Sequence, residues 1–255
     1  MRALITRPRE DCAALAAQLT AHGIVPVIEP LLTIRFAADG AGDLAPLLDG
    51  AQAVLFTSAN GARAFAAASA RRDLPAFAVG DASAAAARTA GFATVESAHG
   101  NVADLAALVR RRLAPERGAL VHAAAKAVAG DLAGTLEAQG FSVRRAVLYD
   151  AVPATELSRA TIGLIAAGGI AQALFFSPRT AECFVRLARA AGLDDACRAI
   201  TAVALSPAVA AALDGLRWRA VRVAAAPNEA ALLETLDRIV AERRAVAGTG
   251  QDRSA

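Results

Sequence analysis

The chain has 255 residues, 56% hydrophobic, 20% charged and 4% aromatic, which suits two ordinary domains with cores of Ala, Leu and Val and excludes disorder over most of the length. No apolar run reaches the roughly 18 residues of a membrane helix, and the chain opens on a strand-like Ala3-Leu4-Ile5 instead of a basic leader, so a cytoplasmic protein with no membrane partner is expected. With 27 basic and 24 acidic residues the formal charge is only +3, mild for a nucleic-acid binder, so no nucleic-acid partner is expected.

In chain order, residues 3–6 read as a strand, 10–21 as a helix that stops at Gly23, and 24–28 as a second strand with Pro30 after it. Further strands are predicted at 53–56, 76–79, 119–121, 143–148, 173–176, 202–205 and 220–223, most followed by a turn and a helix. This alternation is the pattern of an α/β fold with parallel sheets flanked by helices. Residues 244–255 lose apolar periodicity and read as a frayed tail.

The chain also resembles itself. Leu15 to Ile24 lines up with Leu132 to Phe141, each a helix ending in glycine before a strand. Leu55-Phe-Thr-Ser58 and its helix match Phe175-Phe-Ser177 and its helix. Ala78-Val-Gly80-Asp-Ala-Ser83 matches Ala204-Leu-Ser206-Pro-Ala-Val209, and Asn101-Val-Ala-Asp-Leu105 matches Asn228-Glu-Ala-Ala-Leu232. The pieces run a, b, a, b, which predicts two similar domains. The unrepeated stretches near 32–42 and 149–156 are the candidate linkers.

Parallel α/β sheets bind ligands beyond the carboxyl ends of their strands, where helices begin. The turns there read Thr6-Arg7-Pro8, Thr57-Ser58-Ala59-Asn60-Gly61, Gly80-Asp81-Ala82-Ser83, His122-Ala-Ala-Ala-Lys126, Ser177-Pro178-Arg179-Thr180 and Ser206-Pro207. Such turns leave backbone N–H groups unpaired and favour anions. Arg7, Lys126 and Arg179 would add full charges; Lys126 is the single lysine, and the arginines supply forked donors suited to carboxylates. Each of Ser58, Ser83 and Ser177 has a second reading as the plain N-cap of its own helix. Tyr149, the only tyrosine, ends a predicted strand, where its phenol either packs or serves as a proton donor or acceptor in a cleft.

Other motifs carry less. Gly40-Ala-Gly42-Asp-Leu-Ala45 matches a permissive dinucleotide fingerprint, but Pro46 and Asp49-Gly50 leave at most a short helix after it. His22, His99 and His122 share no helical face, and Cys12, Cys183 and Cys197 lack C-x-x-C spacing, so no metal site is expected and the thiols read as buried. His122 falls in a ligand turn and reads as a surface histidine before a catalytic one. Arg110-Arg111-Arg112 reads as a solvated helix end.

Taken together, Leu4-Ile-Thr-Arg7-Pro8, Phe56-Thr-Ser58-Ala-Asn60-Gly61, Val79-Gly80, Leu148-Tyr149, Phe176-Ser177-Pro178 and Pro227-Asn228 make the chain resemble the uroporphyrinogen-III synthase family over nearly its whole length. The resemblance implies two similar α/β domains joined by two linkers, one discontinuous: residues 1–35 with 153–255, and residues 38–149. It implies a monomer that closes hydroxymethylbilane, a linear tetrapyrrole with eight carboxylates, to uroporphyrinogen III, with loss of water, inversion of the last ring and no cofactor. Carried onto this sequence, it makes Tyr149 the catalytic candidate. Arg7, Ser58, Asn60, Gly80, Ser83, Ser177, Arg179 and Ser206 are the substrate-binding candidates. Where the family often has Gly-Pro-Thr-Thr, this chain has Ser206-Pro207-Ala208-Val209, so Ser206 would have to replace a missing hydroxyl. On fold grounds alone, duplicated α/β halves also suit a non-catalytic binding or sensor protein that closes on an anionic small molecule.

Overall fold

The computed structural model describes residues 1–37, 44–127 and 130–251. The chain begins β1 (Arg2–Ile5), α1 (Cys12–Ala21), β2 (Val25–Ile28), β3 (Leu32–Phe36), α2 (Ala45–Leu48), β4 (Ala51–Phe56), α3 (Ala59–Ala68), β5 (Ala76–Ala78), α4 (Asp81–Thr89) and β6 (Val95–Ser97). It continues α5 (Val102–Arg112), β7 (Ala119–Ala125), α6 (Leu132–Glu137), β8 (Val143–Pro153), α7 (Arg159–Ala166) and β9 (Gln172–Phe175). The last elements are α8 (Pro178–Ala190), β10 (Thr201–Ala204), α9 (Pro207–Ala211), β11 (Ala220–Val223) and α10 (Glu229–Gln251).

These elements divide into two compact units, Met1–Thr33 with Pro153–Ala255, and Ile34–Val152. The first carries a sheet of order β11-β10-β9-β1-β2, the second a sheet of order β3-β8-β7-β4-β5-β6. Pairing runs parallel from β11 through to β2 and from β8 through to β6. Leaving β3 aside, the second order corresponds strand for strand to the first, with β6, β5, β4, β7 and β8 in the places of β11, β10, β9, β1 and β2. The repeated pieces therefore recur as structure: β1-α1-β2 matches β7-α6-β8, and the run from β9 to α10 matches the run from β4 to α5.

In the first unit this is the doubly wound order 2-1-3-4-5, whose winding reverses between β1 and β9. The matching reversal in the second unit falls between β7 and β4. Helices on both faces explain why the strands read as unbroken apolar runs. Leu4, Ala173, Phe175, Ala202 and Ala204 pack on one face of the first sheet; Ala3, Ile5, Leu174 and Val203 pack on the other. The second sheet alternates in the same way, with Val54, Phe56, Val121 and Ala123 against Ala53, Leu55 and Leu120. The predicted glycine stops lie where expected: Gly23 (φ 72°) ends the α1 turn and Gly140 (φ 88°) the α6 turn, both in the left-handed region that favours glycine. All three cysteines are buried and free.

The candidate linkers contain strands: Leu32–Phe36 is β3, and β8 runs on past Leu148 to Pro153, which corrects the reading of Tyr149 as a strand end, since it lies inside β8. Both changes of unit fall inside these strands, whose main-chain groups are tied down: the Ala37 N–H donates to Leu148 O at 3.0 Å and the Ala154 N–H to Leu31 O at 2.9 Å. The strand after Gly118 continues to Ala125, so the residues read as a ligand turn from His122 onward are mostly strand. A short strand at Val95–Ser97 lacks the apolar run that marks the equally short β5, because two of its three residues are Glu96 and Ser97. The backbone of the supposed tail is helical as far as Gln251. The dinucleotide-like stretch from Gly40 falls almost wholly in 38–43, outside the described residues. Among the described residues, no helix is long and apolar enough to cross a membrane.

Candidate functional site

In the second unit, Ser58, Gly61 and Tyr149 form one hydrogen-bonded group at the carboxyl end of β4. Ser58 caps α3, its Oγ accepting the Gly61 N–H at 3.0 Å. The same Oγ lies 2.6 Å from Tyr149 Oη. A serine oxygen that already accepts one bond can give its own hydrogen to the phenol oxygen, which leaves the phenol proton for a further partner. Tyr149 is 7% exposed; burial pushes its phenol above the ordinary value of 10, partly offset by the Ser58 bond. The capping and ligand readings of Ser58 are thus compatible, since one oxygen serves both.

Gly61 lets this turn sit against the sheet: a Cβ there would meet Ala123 O at 2.7 Å, a clash with main chain that cannot yield cheaply. Asn60 Oδ1 accepts from Arg63 Nη1 at 2.8 Å. Gly80 is the N-cap of α4, while Ser83 lies in its first turn, 5% exposed. The reading of Ser83 as a cap is therefore corrected, because the helix has already begun at Asp81. Lys126 is exposed, and its main-chain N–H donates to Tyr149 O at 2.8 Å, extending the β7–β8 ladder.

His122 is not a surface residue. Strand β7 places it beside Leu55 of β4, 3% exposed, with Nε2 3.1 Å from Thr57 Oγ1. Burial, helped by the positive charge of Arg145, pulls its pKa from 6.5 to about 4. It is therefore a neutral imidazole at physiological pH that joins β7 to the turn after β4, across the reversal of winding.

In the first unit, the corresponding edge is ionic. Arg7 follows β1, and its Nη1 meets Glu229 Oε2 at 2.5 Å, with side chains 20% and 36% exposed. Its guanidinium lies over the Phe176 ring, 4.6 Å from the centroid, a cation–π arrangement. Arg7 Nε is buried and has no acceptor among the described residues. Glu229 occupies the first turn of α10, where the helix dipole favours a carboxylate, and Asn228 Oδ1 accepts the Ala231 N–H at 2.9 Å. A half-exposed ion pair contributes about 0–1 kcal/mol. Leu232, Leu236 and Ile239 of α10 are 0–5% exposed, and each is worth about 1.5–3 kcal/mol, so the apolar face holds the helix and the pair does not. Sequence reading found Arg7 but missed Glu229; the repeat around Asn228 was the available signal, since it marks a helix start beside a strand end.

Ser177 caps α8, accepting the Thr180 N–H at 3.2 Å, and Thr180 Oγ1 donates back to Ser177 O at 2.9 Å. Arg179 is half-buried in that first turn. Ser206 caps the short α9, its Oγ 3.4 Å from the Val209 nitrogen. Among the described residues, no group of three or more His, Cys, Asp and Glu is arranged to hold a metal ion.

The family described as uroporphyrinogen-III synthase HemD matches residues 13–234. The chain belongs to the uroporphyrinogen-III synthase family. Among solved structures it is similar to the uroporphyrinogen-III synthetase of Helicobacter pylori, with 17% identity and a TM-score of 0.62 over 94% of this chain and 100% of that one. It is also similar to a mutant uroporphyrinogen III synthase from the extremely thermophilic bacterium Thermus thermophilus, with 18% identity and a TM-score of 0.59 over 95% and 99% of the two chains. At such identities these likenesses carry the fold alone. No curated protein matches the chain. Membership makes the chain a uroporphyrinogen-III synthase, a cyclising lyase of heme biosynthesis, and decides against the non-catalytic binding protein.

Proposed function

We propose that the chain converts hydroxymethylbilane to uroporphyrinogen III as a cytoplasmic monomer that binds no nucleic acid, with Tyr149 as the proton donor to the departing hydroxyl. The single observation that carries the reaction is the family match over residues 13–234. The site chemistry supports the residue roles. Burial keeps Tyr149 protonated, the state a donor needs, and Ser58 holds its oxygen at 2.6 Å.

Protonating the substrate's terminal hydroxyl releases water and leaves an electron-poor azafulvene. The last pyrrole then attacks through its substituted carbon, and bond migration through a spiro intermediate inverts that ring. Loss of a ring proton restores aromaticity, and the reading requires no cofactor. The linear substrate also closes unaided to the uninverted isomer, so the enzyme's task is to favour one folded shape over another, which is catalysis by orientation and differential stabilisation. The hydroxyls of Ser58, Ser83, Ser177 and Ser206, the amide of Asn60, the main chain at Gly80 and the cations Arg7 and Arg179 are suited to hold substrate carboxylates. Purified protein given freshly made hydroxymethylbilane is expected to yield mainly the type III isomer; type I product alone, at the uncatalysed rate, would overturn the reading.

A further inference from the structure

We propose that Glu229 is a built-in stand-in for a substrate carboxylate: it holds the Arg7 guanidinium at the strand edge and yields it by exchange when a carboxylate of the tetrapyrrole arrives. The proposal rests on the reading of the substrate given above and adds to it a residue that sets affinity at that edge.

Four observations carry it. Arg7 lies at the reversal of winding between β1 and β9, the place where doubly wound sheets take their ligands. Its partner is a carboxylate, the group the substrate carries, and both side chains are open to solvent at 20% and 36%. The contact joins one nitrogen to one oxygen, whereas a guanidinium can take a free carboxylate with two parallel bonds. The pose also leaves Arg7 Nε buried without an acceptor, so this geometry does not satisfy the guanidinium fully.

Exchange strands neither partner. Glu229 released from Arg7 stays in the first turn of α10, where helix N–H groups and the dipole stabilise a negative charge. Arg7 keeps its place over Phe176, which orients the fork without neutralising it. The apolar face of α10 holds the helix through Leu232, Leu236 and Ile239, so opening the pair does not require the helix to move.

The test is a fluorescence titration of the full chain with uroporphyrin III, an octacarboxylate, for the wild type, Glu229→Gln, Arg7→Gln and the double variant. Glu229→Gln is expected to tighten binding about tenfold, because the internal competitor is gone, and Arg7→Gln to weaken it by a similar factor. In the Arg7→Gln background, Glu229→Gln should have no further effect. Unchanged or weaker binding by Glu229→Gln overturns the proposal, and so does an equal gain with Arg7 absent, which would mark a general loss of negative charge instead of exchange at Arg7. Circular dichroism melts confirm that each variant is folded. The two levels fail separately: a wild type that makes only type I isomer sinks the reading of function, whereas a wild type that makes type III while Glu229→Gln shows no gain sinks the exchange alone.

Discussion

The same strand order built twice in one chain presents two different edges. Aligning Leu55-Phe56-Thr57-Ser58 with Leu174-Phe175-Phe176-Ser177, and using the strand registers, puts His122 where the first unit has Ile5, Thr57 where it has Phe176, and Gly61 where it has Thr180. The backbone task is shared: Ser58 and Ser177 each cap the helix that follows. The chemistry is not. The second unit builds a hydroxyl-lined edge around Tyr149, with Arg145 held on the carbonyls of Ala125 and Lys126 at 2.7 Å; the first builds an arginine held by a carboxylate. Fold repetition therefore supplies the platform, and substitutions at the reversal of winding decide what each platform does.

The largest effect expected from this comparison comes from importing the first unit's apolar residue at position 122. His122 titrates near 4 in the fold against 6.5 in the free side chain. Between these values the unfolded chain takes up a proton that the folded chain refuses. Stability is therefore full above pH 6.5 and falls as pH drops toward 4, by about 3 kcal/mol from this residue. His122→Ile, paired with Thr57→Val so that no hydroxyl is stranded, should flatten that part of the urea-midpoint profile between pH 7 and 4.5. An unaltered acid slope would place its source elsewhere.

Next comes the helix start. Gly61→Ala drives a Cβ toward Ala123 O and should cost about 2 kcal/mol in denaturant unfolding. The mirror change, Thr180→Gly in the first unit, removes a buried methyl, two side-chain hydrogen bonds and some helix propensity, and should also cost about 2 kcal/mol, by loss of contacts instead of a clash. A cost near zero for Gly61→Ala would mean that the serine turn of the second unit can move off its sheet to admit the methyl. The smallest effect is on turnover: Tyr149→Phe, which keeps the packing and removes the phenol, is expected to lower kcat about tenfold, or about 1.4 kcal/mol. Unchanged kcat would remove the proton-transfer role and leave Tyr149 as packing for the edge.

Much of the fold was legible because it is written in local patterns. Apolar runs too short for helices marked β4, β9 and β10, glycines stopped α1 and α6, and the repeated pieces announced two related units. The strands that went unread have identifiable causes. Residues Leu32–Phe36 alternate apolar residues with Thr33 and Arg35, a strand pattern that a search for unbroken apolar runs passes over, and β8 continues through Asp150, which breaks its run. How far β8 continues depends on the neighbouring strands that satisfy its main-chain groups, which no local window records. The site divides in the same way. Ser58, Arg7 and Ser177 could be named because they follow strands, and Tyr149 because it is the single tyrosine and follows an apolar run, but the bond between Ser58 and Tyr149 joins residues 91 positions apart, and Arg7 and Glu229 are separated by 222.

The sequence by itself determined the α/β class, the duplication and the residue types at the strand ends, since hydrophobic period, turn chemistry and self-similarity are properties of neighbours along the chain. Only the tertiary structure decided which of those residues meet and in what state: His122 neutral inside a strand, Tyr149 held by a capping serine, Arg7 occupied by a carboxylate. Those outcomes depend on desolvation and on distances between chain segments far apart in sequence, which exist only once both sheets have formed.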